Sequence, residues 1–282
     1  MNEHYKVKEL QAWNEFRALI SQLSDNWLFR GQSDSEWELQ SSFERSEFFT
    51  EDNTVEKIFL FDFRRAAKNF LVEKEIPEDL LEWLALMQHH GAPTRLIDFT
   101  KSPYIASYFA FERIEKNIKS VAIWAINSEV IISKLRDNNF FDLIDVSKMN
   151  KQLEIMRFEK MFNENDRSFV MPIEPFHMNK RYYLQQSVFI CAACTSESFM
   201  SQLEFLGDDA PKAVIKISLP VSVRNEALRD LQKMNINRAS LFPDLDGYCQ
   251  SLKVKYNSTQ SLREYINQHK EFMKDNNLGI HF

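Results

Sequence analysis

Leu10, Trp13, Phe16, Leu19, Ile20 and Leu23 recur at the spacing of one helix face, which predicts a first helix over residues 10–23. A strand is predicted at 26–30, stopping at Gly31, and a second short one where Trp37 and Leu39 alternate with polar neighbours. Residues 54–71 return to a helical period, with Phe59, Phe63, Ala66, Ala67 and Phe70 on one face. Pro77 opens the next helix, with Glu78 and Asp79 in the first turn, where carboxylates suit the helix dipole. That helix carries Leu81, Leu84, Ala85 and Met87 and ends at Gly91. Pro93 begins a loop leading into a short strand. Ser102-Pro103 then reads as a helix start, a capping hydroxyl followed by proline at the first helical position, with the helix reaching 114.

Apolar runs predict strands at 120–126, 183–193 and 213–219, and a helix is expected over 223–234. A last helical region follows 241–247 and reaches 275. Residues 127–180 are mixed and charged and carry no clear period. The sum is an α+β fold, a single domain with a mixed or antiparallel β core decorated by helices.

Composition narrows the chemistry. The 282 residues include 24 Phe but only 5 Gly, at 31, 91, 207, 247 and 279. No two glycines stand close enough for a dinucleotide-binding GxGxxG turn or a phosphate-cradling P-loop, which excludes both. A net charge of −6 argues against non-specific nucleic-acid binding and against anionic membranes, with Arg64, Arg65 and Lys68 as a local basic strip. Cys191 and Cys194 form a CxxC within a strand pattern, so they point to opposite faces, and no further ligands stand nearby. They are expected to be buried thiols, and no metal site is expected. The first residues are charged and have no apolar h-region, and the longest apolar runs are far shorter than a membrane span. A cytoplasmic location is the expectation.

The densest polar stretch is Gln88-His89-His90-Gly91-Ala92-Pro93-Thr94-Arg95-Leu96-Ile97-Asp98-Phe99-Thr100, a loop and strand between two helices. Read alone, it is either a binding loop or a structural element in which Arg95 pairs with Asp98. Together with Phe29-Arg30-Gly31-Gln32, Ala106-x-Tyr108-Phe109-Ala110, Gln186-Ser-Val-Phe189 and Leu241-Phe-Pro-Asp-Leu-Asp-Gly247, it resembles the FRG domain family, named for its Phe-Arg-Gly triplet. The resemblance extends over residues 25 to 250 and divides the chain into an N-terminal helix (1–24), the FRG domain (25–255) and a C-terminal helical tail (256–282). Ser187 stands where the family often has Gly, Ala92 replaces a larger apolar residue, and His90 replaces an aromatic. The family is a bacterial and phage module.

A second resemblance is to ADP-ribosyltransferases of the arginine–serine–glutamate type. Arg30-Gly31 is similar to their first element, and residues 98–110 to a strand that runs into a helix with an Ala-x-x-Phe-Ala pattern. Residues 183–189 fall where a strand with a glutamate would follow, but they offer Gln185, Gln186 and Ser187 and no carboxylate. The resemblance implies NAD as substrate and no required cofactor, with an effector role as a toxin or in anti-phage defence. It implies Arg30 on the diphosphate or ribose. It also implies Asp98 in place of the missing carboxylate, next to an oxocarbenium-like centre, and Gln186 on a ribose hydroxyl. Gln32, Gln88, His89, Thr94, Arg95 and Thr100 are the expected ligand-binding residues. Two alternatives stand beside this. One is a non-catalytic module recognising a nucleotide, a nucleic acid or a protein. The other is a structural network of Arg30, Arg95, Asp98 and Gln186.

Overall fold

The computed structural model describes residues 4–49, 53–73, 76–137, 151–177 and 179–255, together with residues 263, 266, 267, 269 and 270. Most of the expected tail, 256–282, lies outside these. Among the described residues seven strands are formed: β1 (Lys6–Glu9), β2 (Trp27–Gln32), β3 (Leu96–Thr100), β4 (Ser120–Asn127), β5 (Val170–Ile173), β6 (Ser187–Ala192) and β7 (Val214–Pro220). The helices are α1 (Trp13–Ile20), α2 (Thr54–Ala67), α3 (Leu80–His89), α4 (Pro103–Glu112), α5 (Ser128–Asp137), α6 (Lys151–Glu164), α7 (Lys180–Leu184), α8 (Phe199–Gln202), α9 (Ala210–Ala213), α10 (Arg224–Lys233), α11 (Arg238–Leu241) and α12 (Leu245–Lys255). The strands make one open sheet in the order β1-β7-β4-β2-β3-β6-β5. The β1–β7 pair is parallel and the other pairs are antiparallel, so the fold is α+β with a mixed sheet.

Both faces are covered. Phe29, Ile123 and Ile217 bury under α1, α4 and α10. Leu96, Phe189 and Cys191 bury under α2, α3 and α6. Phe29 lies opposite Thr100 in the ladder, and Thr100 shares its face with Leu96, so these two clusters sit side by side on one face. Trp124, Ile97 and Ile190 form the core of the other face with α5, α8 and α9. Two helix starts follow the sequence signals. Asp79 accepts from the Glu82 amide at the head of α3, and Ser102 accepts from Ile105 at the head of α4 with Pro103 next. Gly91, just past α3, takes φ +83°, the left-handed stop that glycine allows.

Several expectations are corrected. β2 runs through Gly31 to Gln32 instead of stopping before it. Trp37 and Leu39 form no strand; Leu39 is fully buried while Trp37 is 51% exposed, so their alternation reflects a loop with one anchor. α2 ends at Ala67, leaving Phe70 85% exposed, and turns Leu60 and Glu56 inward. The segment read as one strand over 183–193 is the end of α7, a turn, and then β6. β1 escapes periodicity because Lys-Val-Lys-Glu is a polar edge strand, set in place by its ladder to β7. The unreadable stretch 127–180 contributes α5, α6 and β5.

Candidate functional site

The centre of the sheet has a seam. β2 pairs with β4 along all six of its residues, but with β3 only at Phe29 and Thr100. Past that pair the β3 carbonyls would lack partners, an expensive state for backbone oxygens. Side chains take them. Arg30 Nη1 donates to the Asp98 carbonyl at 2.7 Å, and Gln88 Nε2 donates to the Leu96 carbonyl at 3.4 Å and to Asp98 Oδ2 at 2.9 Å. Gln88 Oε1 accepts from Thr94 Oγ1 at 2.6 Å and from Ser42 Oγ at 3.2 Å. The 41–46 segment closes the far end of the opening, with the Phe43 amide on the Thr94 carbonyl and the Thr94 amide on Ser42 Oγ, both at 3.0 Å.

Charge is concentrated here. Arg30 is partly buried, and its bond goes to a neutral carbonyl. Its Nε is buried and has no partner. Burial draws the Arg30 pKa below its ordinary value, the Asp98 charge opposes that, and Arg45 adds to it. An arginine remains a cation under such shifts. The Asp98 carboxylate is exposed. Its charge also reaches His89 and Tyr182. Burial lowers the His89 pKa, with Arg181 and His90 in the same direction and Asp244 and Asp98 against. Burial first, and then Asp98, pushes the Tyr182 phenol up; its hydroxyl donates to the Ala85 carbonyl at 2.6 Å. His89 meets Tyr182 edge-on at 5.8 Å.

The structure thus gathers Arg30, Asp98, Gln88 and His89, and it places the other expected site residues elsewhere. Arg95 is 1% exposed and forms a buried ion pair, not with Asp98 but with Glu56, at 2.7 Å. It also donates to the Ala193 carbonyl and Asn165 Oδ1 and packs over the Phe162 ring. Its donors are spent inside the core. Thr94 is buried and turned to Gln88, so it holds the site without facing solvent. Thr100 is buried and donates to the Gln185 carbonyl at 2.7 Å. Gln32 bridges Trp124 Nε1 and the Glu38 carbonyl, which pins the 33–40 loop to β4. Gln186 is exposed at φ +48° in the turn before β6; the buried glutamine is its neighbour Gln185, which donates to the Leu241 carbonyl. The four-residue network of Arg30, Arg95, Asp98 and Gln186 does not form, because Arg95 is bound to Glu56 in the core and Gln186 is exposed in the turn before β6.

Glu56 escaped the sequence reading, although it falls on the same helical stripe as Leu60 and Ala67. Arg181 and Tyr182 escaped it because they fall between the stretch without a clear period, 127–180, and the strand expected from 183. Cys191 and Cys194 are buried and free, as expected, and burial pushes the Cys191 thiol up to about 12.

Residues 25–119 match the family model of the FRG domain. The chain carries an FRG domain. The FRG match holds the Phe29-Arg30-Gly31 triplet, the 88–100 stretch and the 106–110 pattern, and it ends just before β4. These are the elements that build the seam. The 186–189 and 241–247 segments lie beyond the matched residues. No curated protein and no solved structure matches the chain. Among the described residues, no helix is long and apolar enough to cross a membrane.

Proposed function

We propose that the FRG domain binds a nucleotide-like ligand at the β2–β3 seam, with NAD as its substrate. The observation that carries this is Arg30: a cation with one bond to a neutral carbonyl, at a break in the sheet, beside the exposed carboxylate of Asp98. A guanidinium with donors to spare suits a diphosphate. Gln88 fixes the Asp98 carboxylate through one oxygen. The other oxygen is then available to a ribose or to positive charge developing at an anomeric carbon. The order of elements supports the reading, since β2, β3 running into α4, and β6 are consecutive in the sheet. An effector role that consumes or transfers ADP-ribose follows from this reading.

Binding without turnover is the second reading. It is favoured by the entry to β6, where Gln185, Gln186 and Ser187 supply no carboxylate. One experiment separates the two. Thermal unfolding of wild type and Arg30→Ala is followed with and without NAD, and free nicotinamide is then assayed. Ligand binding raises the melting temperature by mass action. A wild-type shift that Arg30→Ala loses supports the site, and released nicotinamide makes the protein an enzyme. A wild-type protein that neither shifts nor releases nicotinamide rejects NAD.

A further inference from the structure

A groove of about 530 Å³ runs along one side of α3. Glu82, Leu86 and His89 line it from a single helix face, and Glu82 and His89 stand about 10 Å apart along the axis at 1.5 Å per residue. Its two ends differ in character. At the start of α3 the lining includes Glu78 and Glu82. Glu82 is held ionised by the Glu78 amide and by the His177 ring and amide, which outweigh its burial. At the other end stand His89 and Tyr182, the two groove residues that feel the Asp98 charge. Gln88, bonded to Asp98, immediately precedes His89. The groove and the seam therefore meet at the last turn of α3, which carries Gln88 and His89.

His89 defines what that end accepts. Its Nδ1 is buried without a partner, so Nε2 is the ring nitrogen left for a ligand. A neutral ring with its proton on Nε2 leaves a lone pair in the buried position and offers one donor to the groove. Tyr182 adds an aromatic surface, and Leu71, Ile76 and Leu86 add apolar ones. The two glutamates repel phosphate. A planar, uncharged ring carrying a hydrogen-bond acceptor fits these surfaces, and an anion does not.

We infer that this groove takes the heterocyclic base of the nucleotide whose phosphates meet Arg30, with an acceptor of the base on His89 Nε2 and the ring against Tyr182 and Leu86. The inference rests on the seam reading above and fixes the direction of the ligand: phosphate at Arg30, base along α3. Isothermal titration of NAD and of inorganic pyrophosphate tests it on wild type, Arg30→Ala, His89→Ala and Leu86→Trp, with unliganded melting temperatures as folding controls. The two groove variants are expected to weaken NAD by about tenfold or more and to leave pyrophosphate unchanged, while Arg30→Ala weakens both. His89→Gln, which keeps a donor, is expected to recover part of the loss. NAD affinity unchanged in both groove variants, with Arg30→Ala still defective, overturns the groove and leaves the seam standing. Wild type that binds neither probe overturns the seam reading and the groove with it.

Discussion

Gly31 lies against the backbone of Ala106: a Cβ placed on Gly31 would stand 1.9 Å from the Ala106 carbonyl oxygen and 2.7 Å from the Ala110 nitrogen. The glycine of the Phe-Arg-Gly triplet and the alanines of the 106–110 pattern are thus two sides of one contact, through which α4 sits directly on β2. Glycine is needed there for space. Gly31→Ala is expected to push α4 off the sheet and to cost about 3 kcal/mol, because backbone atoms cannot swing aside as a side chain would. Gly91→Ala has open space around it and pays only for its positive φ, about 1 kcal/mol. Chemical denaturation of the two variants side by side checks the ordering.

Arg95 is fully buried with its charge paired, whereas Arg30 is partly buried with one bond to a neutral carbonyl, so the two should separate cleanly. Removing Arg95 leaves Glu56 as an unpaired charge in the core, so Arg95→Met is expected to cost about 3–5 kcal/mol. Removing both charges with Arg95→Met/Glu56→Leu is expected to restore much of that. Arg30→Ala loses one partly buried bond, about 1 kcal/mol, and stays folded. An Arg30→Ala protein that unfolds at room temperature would make the arginine a structural residue.

Adjacent glutamines should behave in opposite ways. Gln185→Ala strands the buried Leu241 carbonyl and is expected to cost about 1–3 kcal/mol. Gln186→Gly relaxes a left-handed residue and is expected to be neutral or slightly stabilising, while Gln186→Val is destabilising. Melting temperatures of the three variants decide this. If Gln186→Gly also keeps full ligand affinity, Gln186 is no part of the site.

The His89 prediction concerns pH. Its folded pKa lies below the ordinary 6.5, chiefly through burial, so the unfolded chain takes up the proton first on acidification. Stability then rises with pH through that window and falls as pH drops below about 6.5. His89→Gln lacks the group. The stability difference between wild type and variant, followed by urea denaturation, should move against wild type from pH 7 to pH 5.5. A difference independent of pH contradicts the burial of the imidazole.

Much of the fold was legible wherever local signals and tertiary packing agree. Ser102-Pro103 and Gly91 mark helix ends with groups that act within one turn, the apolar run at β4 is buried on both faces, and β7 alternates buried apolar with partly buried polar positions. What escaped depends on partners far away in the chain. Arg95 looks like a loop cation until Glu56, 39 residues earlier, is brought to it. Gln185 and Gln186 are neighbours of one chemical type, and only the turn before β6 decides which is buried. Arg30 and Asp98 were legible as candidates because both stand at motif positions. Their actual link, through the Asp98 backbone carbonyl, depends on where a ladder stops, which no side-chain pattern records.

The seam gives the sheet a latch. Four strands on one side and three on the other share a single ladder pair between β2 and β3, and the next rung is the side chain of Arg30. A side-chain rung can be released without breaking backbone pairing. Under the proposed binding, an anion that draws Arg30 away from Asp98 would free the β3 edge, while the ladder from β2 to β4 keeps the Arg30 strand in place. On the proposed binding mode, occupancy of the site would be coupled to how firmly the two halves of the sheet are joined.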